Sequence, residues 1–130
     1  MKLDDFINLK KCIMNYKKEN DEALYDRVLV SAMLQTYYLP TKDLGTKIGG
    51  TLFMDSESKT WLPVYTSLSK YGDAAEKLEV CEFNLPEIIK YVREERLDGI
   101  IINWGEEGEI NIKTKDLYAV LLSYATAEEI

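Results

Sequence analysis

The stretch "TWLPVYTS" (residues 60–67) decides how the chain folds. In an extended backbone successive side chains point to opposite sides, so Leu62 and Val64 share one face while Trp61, Pro63 and Tyr65 share the other. Both faces are apolar. A half-buried strand shows water a polar face, so this one is covered twice: Trp61 and Tyr65 lie either under the chain's own helices or under something the chain binds. Pro63 has no N–H to give to a ladder, which places the segment at a sheet edge or at a bulge.

Working toward the N-terminus, "TLFMD" (51–55) and the polar "SESK" (56–59) complete a β-hairpin with a loop of four or five residues. "TKDLGTKIGG" (41–50) is a glycine-punctuated loop, and before it "QTYYLP" (35–40) has the aromatic content of a strand that stops at Pro40. Two helices lead the chain. The first runs from Leu3 to about Lys18, with Leu3, Phe6, Ile7, Ile13 and Met14 near one face, Asp4 and Asp5 early, and Lys17 and Lys18 late, as the helix macrodipole favours. The second runs from about Asp21 into Leu34. Its end, "VLVSAML" (28–34), is apolar nearly all round and reads as buried.

Toward the C-terminus, Ser67 or Ser69 can cap a short helix reaching toward Leu78, and "LEVCEF" (78–83) reads as a strand. "NLPEIIKYVREERL" (84–97) is a helix with Asn84 at the N-cap, Glu87 three residues on, and Leu85, Ile88, Ile89 and Val92 in an i, i+3, i+4, i+7 stripe. "DGIIIN" (98–103) is a central-type strand, "WGEEGE" (104–109) a turn, and "INI" (110–112) its hairpin partner, with Ile110 and Ile112 on one face. Thr114 can cap a last helix whose Leu117, Val120, Leu121 and Tyr124 repeat the stripe. The expectation is an α+β fold in a single domain over residues 1–130: two N-terminal helices, a mainly antiparallel sheet with interposed helices, and a C-terminal helix.

Composition narrows the function. At 46% hydrophobic and 30% charged the chain has the make-up of a globular domain. Its least charged stretch, Val28 to Thr41, falls short of the roughly 20 apolar residues of a bilayer span. The first 18 residues lack the unbroken apolar core of a signal peptide, so the expected compartment is the cytoplasm. Cys12 and Cys81 have no metal-type spacing and read as small core hydrophobes. The net charge is −7. Residues 1–70 hold ten Lys/Arg against nine Asp/Glu, whereas residues 71–130 hold six against fourteen, so the acidity belongs to the second half. Such a field opposes nucleic acid, and the one basic cluster, Lys10, Lys11, Lys17 and Lys18, reads as a solvated helix face.

No histidine occurs, which removes the commonest general base and the Ser-His-Asp and Cys-His nucleophile systems. Gly45, Gly49 and Gly50 do not make a phosphate loop, because Gly50 is followed by Thr51 and Leu52 where Lys and Ser/Thr are needed. "DSESK" (55–59) and "EEGE" (106–109) lack the ligand pattern of a calcium loop and read as solvated turns. No cofactor and no catalytic residue is expected. What remains is aromatic: Trp61, Tyr65 and Trp104 lie in or beside hairpins, and exposed Trp and Tyr are favoured at interfaces.

Three segments in this order, "YYLP" (37–40), "WLPVYTS" (61–67) and "DGIIINWGEEGEINI" (98–112), resemble the SseB-like, or enhanced serine sensitivity, N-terminal domain family of bacterial proteins. The resemblance spans about residues 24–122. Tyr65 stands where the family has Phe, and Trp104 stands where it has Pro after Asn103. The resemblance implies a cytoplasmic binding or accessory module, and it carries over no catalytic residue.

The expected function is therefore non-enzymatic protein binding, with Trp61, Tyr65, Trp104, Glu106, Glu107 and Glu109 as the contact residues. In its sharpest form the chain is an acidic immunity protein that occludes a basic toxin, carboxylates steering the encounter and an aromatic anchoring it. The rival is a small-molecule sensor with a pocket bordered by Gly45–Gly50 and the Asn103 turn. An apolar hairpin face also leaves a homodimer open.

Overall fold

The computed structural model describes residues 8–40, 52–67 and 80–129. Helix α1 (Leu9–Glu19) starts at Asn8, whose side chain accepts from the Lys11 N–H, and ends at Asn20 in the left-handed conformation. Helix α2 (Glu22–Met33) starts at Asp21, whose carboxylate accepts from the Ala23 N–H. Both caps satisfy amides that have no partner within their own helix. The single helix expected from Leu3 is interrupted at Asn8, whose non-helical backbone and side-chain cap start α1 at Leu9, while residues 1–7, the glycine loop at 41–50 and the short helix toward Leu78 lie outside the described residues.

Strand β1 (Tyr37–Pro40) pairs antiparallel with β4 (Val80–Phe83) in a two-stranded sheet. A second sheet of four strands has the order β2 (Phe53–Met54), β3 (Thr60–Val64), β5 (Gly99–Ile102), β6 (Ile110–Lys113). Helix α3 (Leu85–Glu94) precedes β5, and α4 (Thr114–Glu129) follows β6 without a loop. The α+β class, the leading pair of helices and both hairpins of the sequence reading are present. A capping box starts α3: the Asn84 side chain accepts from the Glu87 N–H and the Glu87 side chain from the Asn84 N–H, both at 2.9 Å. The expected stripe of Leu85, Ile88, Ile89 and Val92 is buried. Thr114 opens α4 with its hydroxyl given to the Leu97 carbonyl at 2.7 Å.

The sheet is mixed, because β3 and β5 run parallel. β3 is thus not an outer strand, since it lies between β2 and β5, but the edge expectation for Pro63 holds locally: no described strand pairs its outer side. The strand tolerates it for a geometric reason. The Val64 carbonyl accepts from the Asn103 N–H at 2.8 Å, so Leu62 and Val64 turn their backbone groups toward β5 and Pro63 turns its nitrogen the other way. There it lies past Thr60 and Trp61, the two residues that β2 pairs. The missing donor breaks no β3–β5 bond.

Leu62, Val64, Ile100, Ile102, Ile110 and Ile112 form the sheet's contribution to one core, completed by Ile13, Val28, Ala32, Leu85, Ile88, Ile89, Val92 and Leu117 from the helices. Tyr37 is fully buried and gives its hydroxyl to the Ala32 carbonyl at 2.7 Å, which ties β1 to the end of α2. Burial pushes its phenol well above the ordinary tyrosine range. Ser31 is buried with no partner for its hydroxyl among the described residues. Cys12 lies in the core as expected, whereas Cys81 is exposed on β4 and is not a core hydrophobe.

Candidate functional site

The six expected contact residues fall into two places. Trp61 goes to one of them alone. It is 6% exposed and its indole N–H donates to the Asp55 carboxylate at 3.0 Å. That carboxylate also accepts from the Glu57 and Lys59 amides, at 2.8 and 2.9 Å, and so closes the hairpin loop that the sequence reads as merely solvated. These bonds, the indole's first, hold the Asp55 carboxyl below the usual carboxylate range. The body of the indole crosses the neighbouring strand at Gly99, where an added Cβ would come within 2.6 Å of the ring and 2.2 Å of the Ile112 carbonyl oxygen. Trp61 is therefore covered by its own chain. As an exposed partner contact it is set aside, because the sheet uses its indole to fill the space above a glycine.

The other place is the turn between β5 and β6. Asn103 ends β5 in the left-handed conformation, which asparagine tolerates better than most residues, and Gly105 follows with φ of 87°. The Asn103 side-chain oxygen accepts from the Thr66 amide at 3.0 Å, and its side-chain nitrogen donates to the Thr66 hydroxyl at 3.1 Å. The turn is thus anchored to the end of β3. Within it the Gly105 N–H donates to the Glu109 carboxylate at 3.0 Å, and the Glu106 and Glu109 amides donate to the Asn103 and Glu106 carbonyls, each at 3.1 Å.

This frame presents Trp104, 39% exposed, at its tip. One side of the indole is steadied by Phe53, with ring centroids 5.0 Å apart. Because Phe53 belongs to β2 and Trp104 to the turn after β5, the contact spans the sheet across β3. Tyr65 is half-buried, and burial first, then the charges of Glu106 and Glu109, raise its phenol above the ordinary value. Tyr65, Glu106 and Glu109 thus share one neighbourhood beside Trp104. Glu107 turns away toward α1, where Lys10 approaches its carboxylate at 3.8 Å and Lys17 donates to its carbonyl at 3.5 Å. Gly108 is buried against the Lys10 side chain.

Structure therefore joins Tyr65, Trp104, Glu106 and Glu109, turns Glu107 toward α1 and removes Trp61. Phe53, Thr66, Lys10 and Lys17 complete the site and were not expected there. Phe53 and Thr66 carry no sequence signal for this role, because their partners lie 37 or more residues away. Lys10 and Lys17 did carry one: a basic helix face in a chain with an acidic turn is a candidate for pairing with it.

Chemically the turn can grip and steer. It holds no nucleophile beside a base, and among the described residues no group of three or more His, Cys, Asp or Glu is placed to hold a metal. No described helix is long and apolar enough to cross a membrane. No family model, no curated protein and no solved structure matches the chain.

Proposed function

We infer that the chain is a non-enzymatic protein-binding or accessory domain that acts in the cytoplasm, and that the turn from Asn103 to Glu109 is its contact surface. Trp104 is the observation that carries this reading. A large aromatic on an exposed turn would cost the free protein apolar exposure, and here the backbone on both sides is pinned so that the ring keeps its place. A held aromatic loses little conformational entropy on binding, which is why such residues anchor interfaces. Glu106 and Glu109 beside it favour a basic partner.

The sharpest form of the reading is an immunity protein whose acidic turn occludes a basic toxin. The resemblance of residues 24–122 to the SseB-like family supports an accessory role of this kind. The rival, a small-molecule pocket between Gly45–Gly50 and Asn103, has less behind it: the loop lies outside the described residues and the Asn103 side chain is committed to Thr66.

A photo-crosslinking phenylalanine at position 104, expressed in the native host, tests the reading. The expected result is one discrete adduct that weakens in high salt and on Glu106→Lys. No adduct, or an adduct indifferent to the charge reversal, rejects it.

A further inference from the structure

Strand β6 is an outer strand of its sheet among the described residues, pairing with β5 and no other strand. The Thr114 N–H donates to the Asp98 carbonyl at 2.9 Å, which sets the alternation of the ladder: Ile110 and Ile112 turn their backbone groups to β5, and Asn111 and Lys113 turn theirs outward. Both of those residues are exposed. The edge is flanked by two adjoining clefts of about 450 and 280 Å³, which share Trp61, Lys113 and Lys115. On the helix side the larger cleft is walled by Tyr16 and Tyr25, whose rings lie 5.1 Å apart, and by Glu22. On the opposite side the smaller cleft adds Lys59.

We propose that the outer edge of β6 docks an extended segment of a partner protein whose side chains alternate between acidic and apolar. Main-chain bonds from Asn111 and Lys113 would give such a segment its hold, as when a peptide adds a strand to an open sheet edge. The alternation follows from the walls. A segment paired with β6 sends every second side chain to the face of Ile110, Ile112, Tyr16 and Tyr25, where apolar groups fit and Glu22 repels a carboxylate. The remaining side chains go to the face of Lys113, with Lys115 close by.

Charge decides the occupant. Lys113 and Lys115 make no ion pair with any described residue, in a chain of net charge −7. Of the acids lining the two clefts, Asp116 accepts the Tyr25 hydroxyl and Asp98 accepts the Thr60 amide, each at 2.8 Å, and on the Lys113 side Lys59, Lys113 and Lys115 stand against Asp98 alone. A lysine on an exposed edge discourages pairing with a second copy, which brings the same lysine. It attracts an acidic strand for the same reason. This surface is separate from the Trp104 turn, and the lysine excess on its Lys113 side calls for a different segment from the one the turn would grip.

The test uses the full chain and a labelled, capped peptide of alternating Glu and Val, followed by fluorescence anisotropy. The expected results are binding by this peptide and not by its Lys/Val counterpart, and weakening of about fivefold or more by Lys113→Glu. N-methylation of alternate peptide amides should abolish binding, and the Asn111 and Lys113 amides should gain protection from hydrogen exchange. Trp104→Ala should leave all of this unchanged. Absence of binding, equal binding of the N-methylated peptide, or indifference to Lys113→Glu overturns the proposal. Concentration-dependent protection of the same amides without peptide also overturns it, since the occupant is then a second copy.

Discussion

Gly99 has no side chain because an indole and a carbonyl occupy the place of one. A methyl group there meets the Ile112 oxygen at 2.2 Å, and neither strand can move away without losing its ladder. Gly99→Ala should therefore destabilise the fold by about 3 kcal/mol in urea unfolding. Shrinking Trp61 to Leu in the same chain should not restore the loss, because the clash with the backbone persists; full recovery would show that the ring alone sets the limit. Asp55 acts on the same indole through its charge. Its folded pKa lies below the unfolded value of about 4, so its contribution is complete above that pH and fades as pH falls through the folded value. Trp61 emission and the urea midpoint should both drop over this range, and Asp55→Asn should flatten the dependence. Ser31 works in the opposite sense. Its buried hydroxyl has no partner among the described residues, so Ser31→Ala should leave stability unchanged or raise it by about 1 kcal/mol.

At the scale of elements, local chemistry decides where each begins. The capping box of α3 satisfies two amides reciprocally, and Asn84→Ala should cost about 1 kcal/mol by thermal or urea unfolding with the helix otherwise intact. The start of α3 and the hairpins were legible in the sequence because the residues that make them lie within a few positions of one another: Asn84 with Glu87, Asp55 with Lys59, Ile110 with Ile112; the cap at Asn8 was not, because the apolar spacing runs on through it from Leu3. The parallel pairing of β3 with β5 was not legible. It joins Trp61 to Gly99 across a strand and a helix, and no local period encodes such a partner. Its trace is the burial of both strands on both faces, visible in the sequence as "TWLPV" and "GIII". Pro63 shows the same limit: its strand lies inside the sheet, and only the short reach of β2 leaves the proline nitrogen without a described partner strand.

Across the whole molecule, the end of β5 and the outer side of β6 place differently charged groups at two parts of one sheet. The acidic turn at the end of β5 holds Trp104 in place, and the lysine-flanked outer side of β6 pairs with no other strand among the described residues. The second half of the chain was legible as acidic, yet the surface is less lopsided than the sequence, because Lys10 and Lys17 of α1 reach Glu107. The exposed pair of Lys10 and Glu107 should be worth no more than about 1 kcal/mol, so Lys10→Ala should alter the turn's field more than the protein's stability. The two tryptophans, equivalent in the sequence, differ in kind: one completes the sheet and the other stands on its rim. Acrylamide quenching of the single-tryptophan variants tests that division directly. Trp104→Phe, which leaves Trp61, should emit from a protected indole, and Trp61→Phe, which leaves Trp104, should be quenched readily. Equal protection of both indoles would contradict the assignment of Trp104 as the exposed anchor.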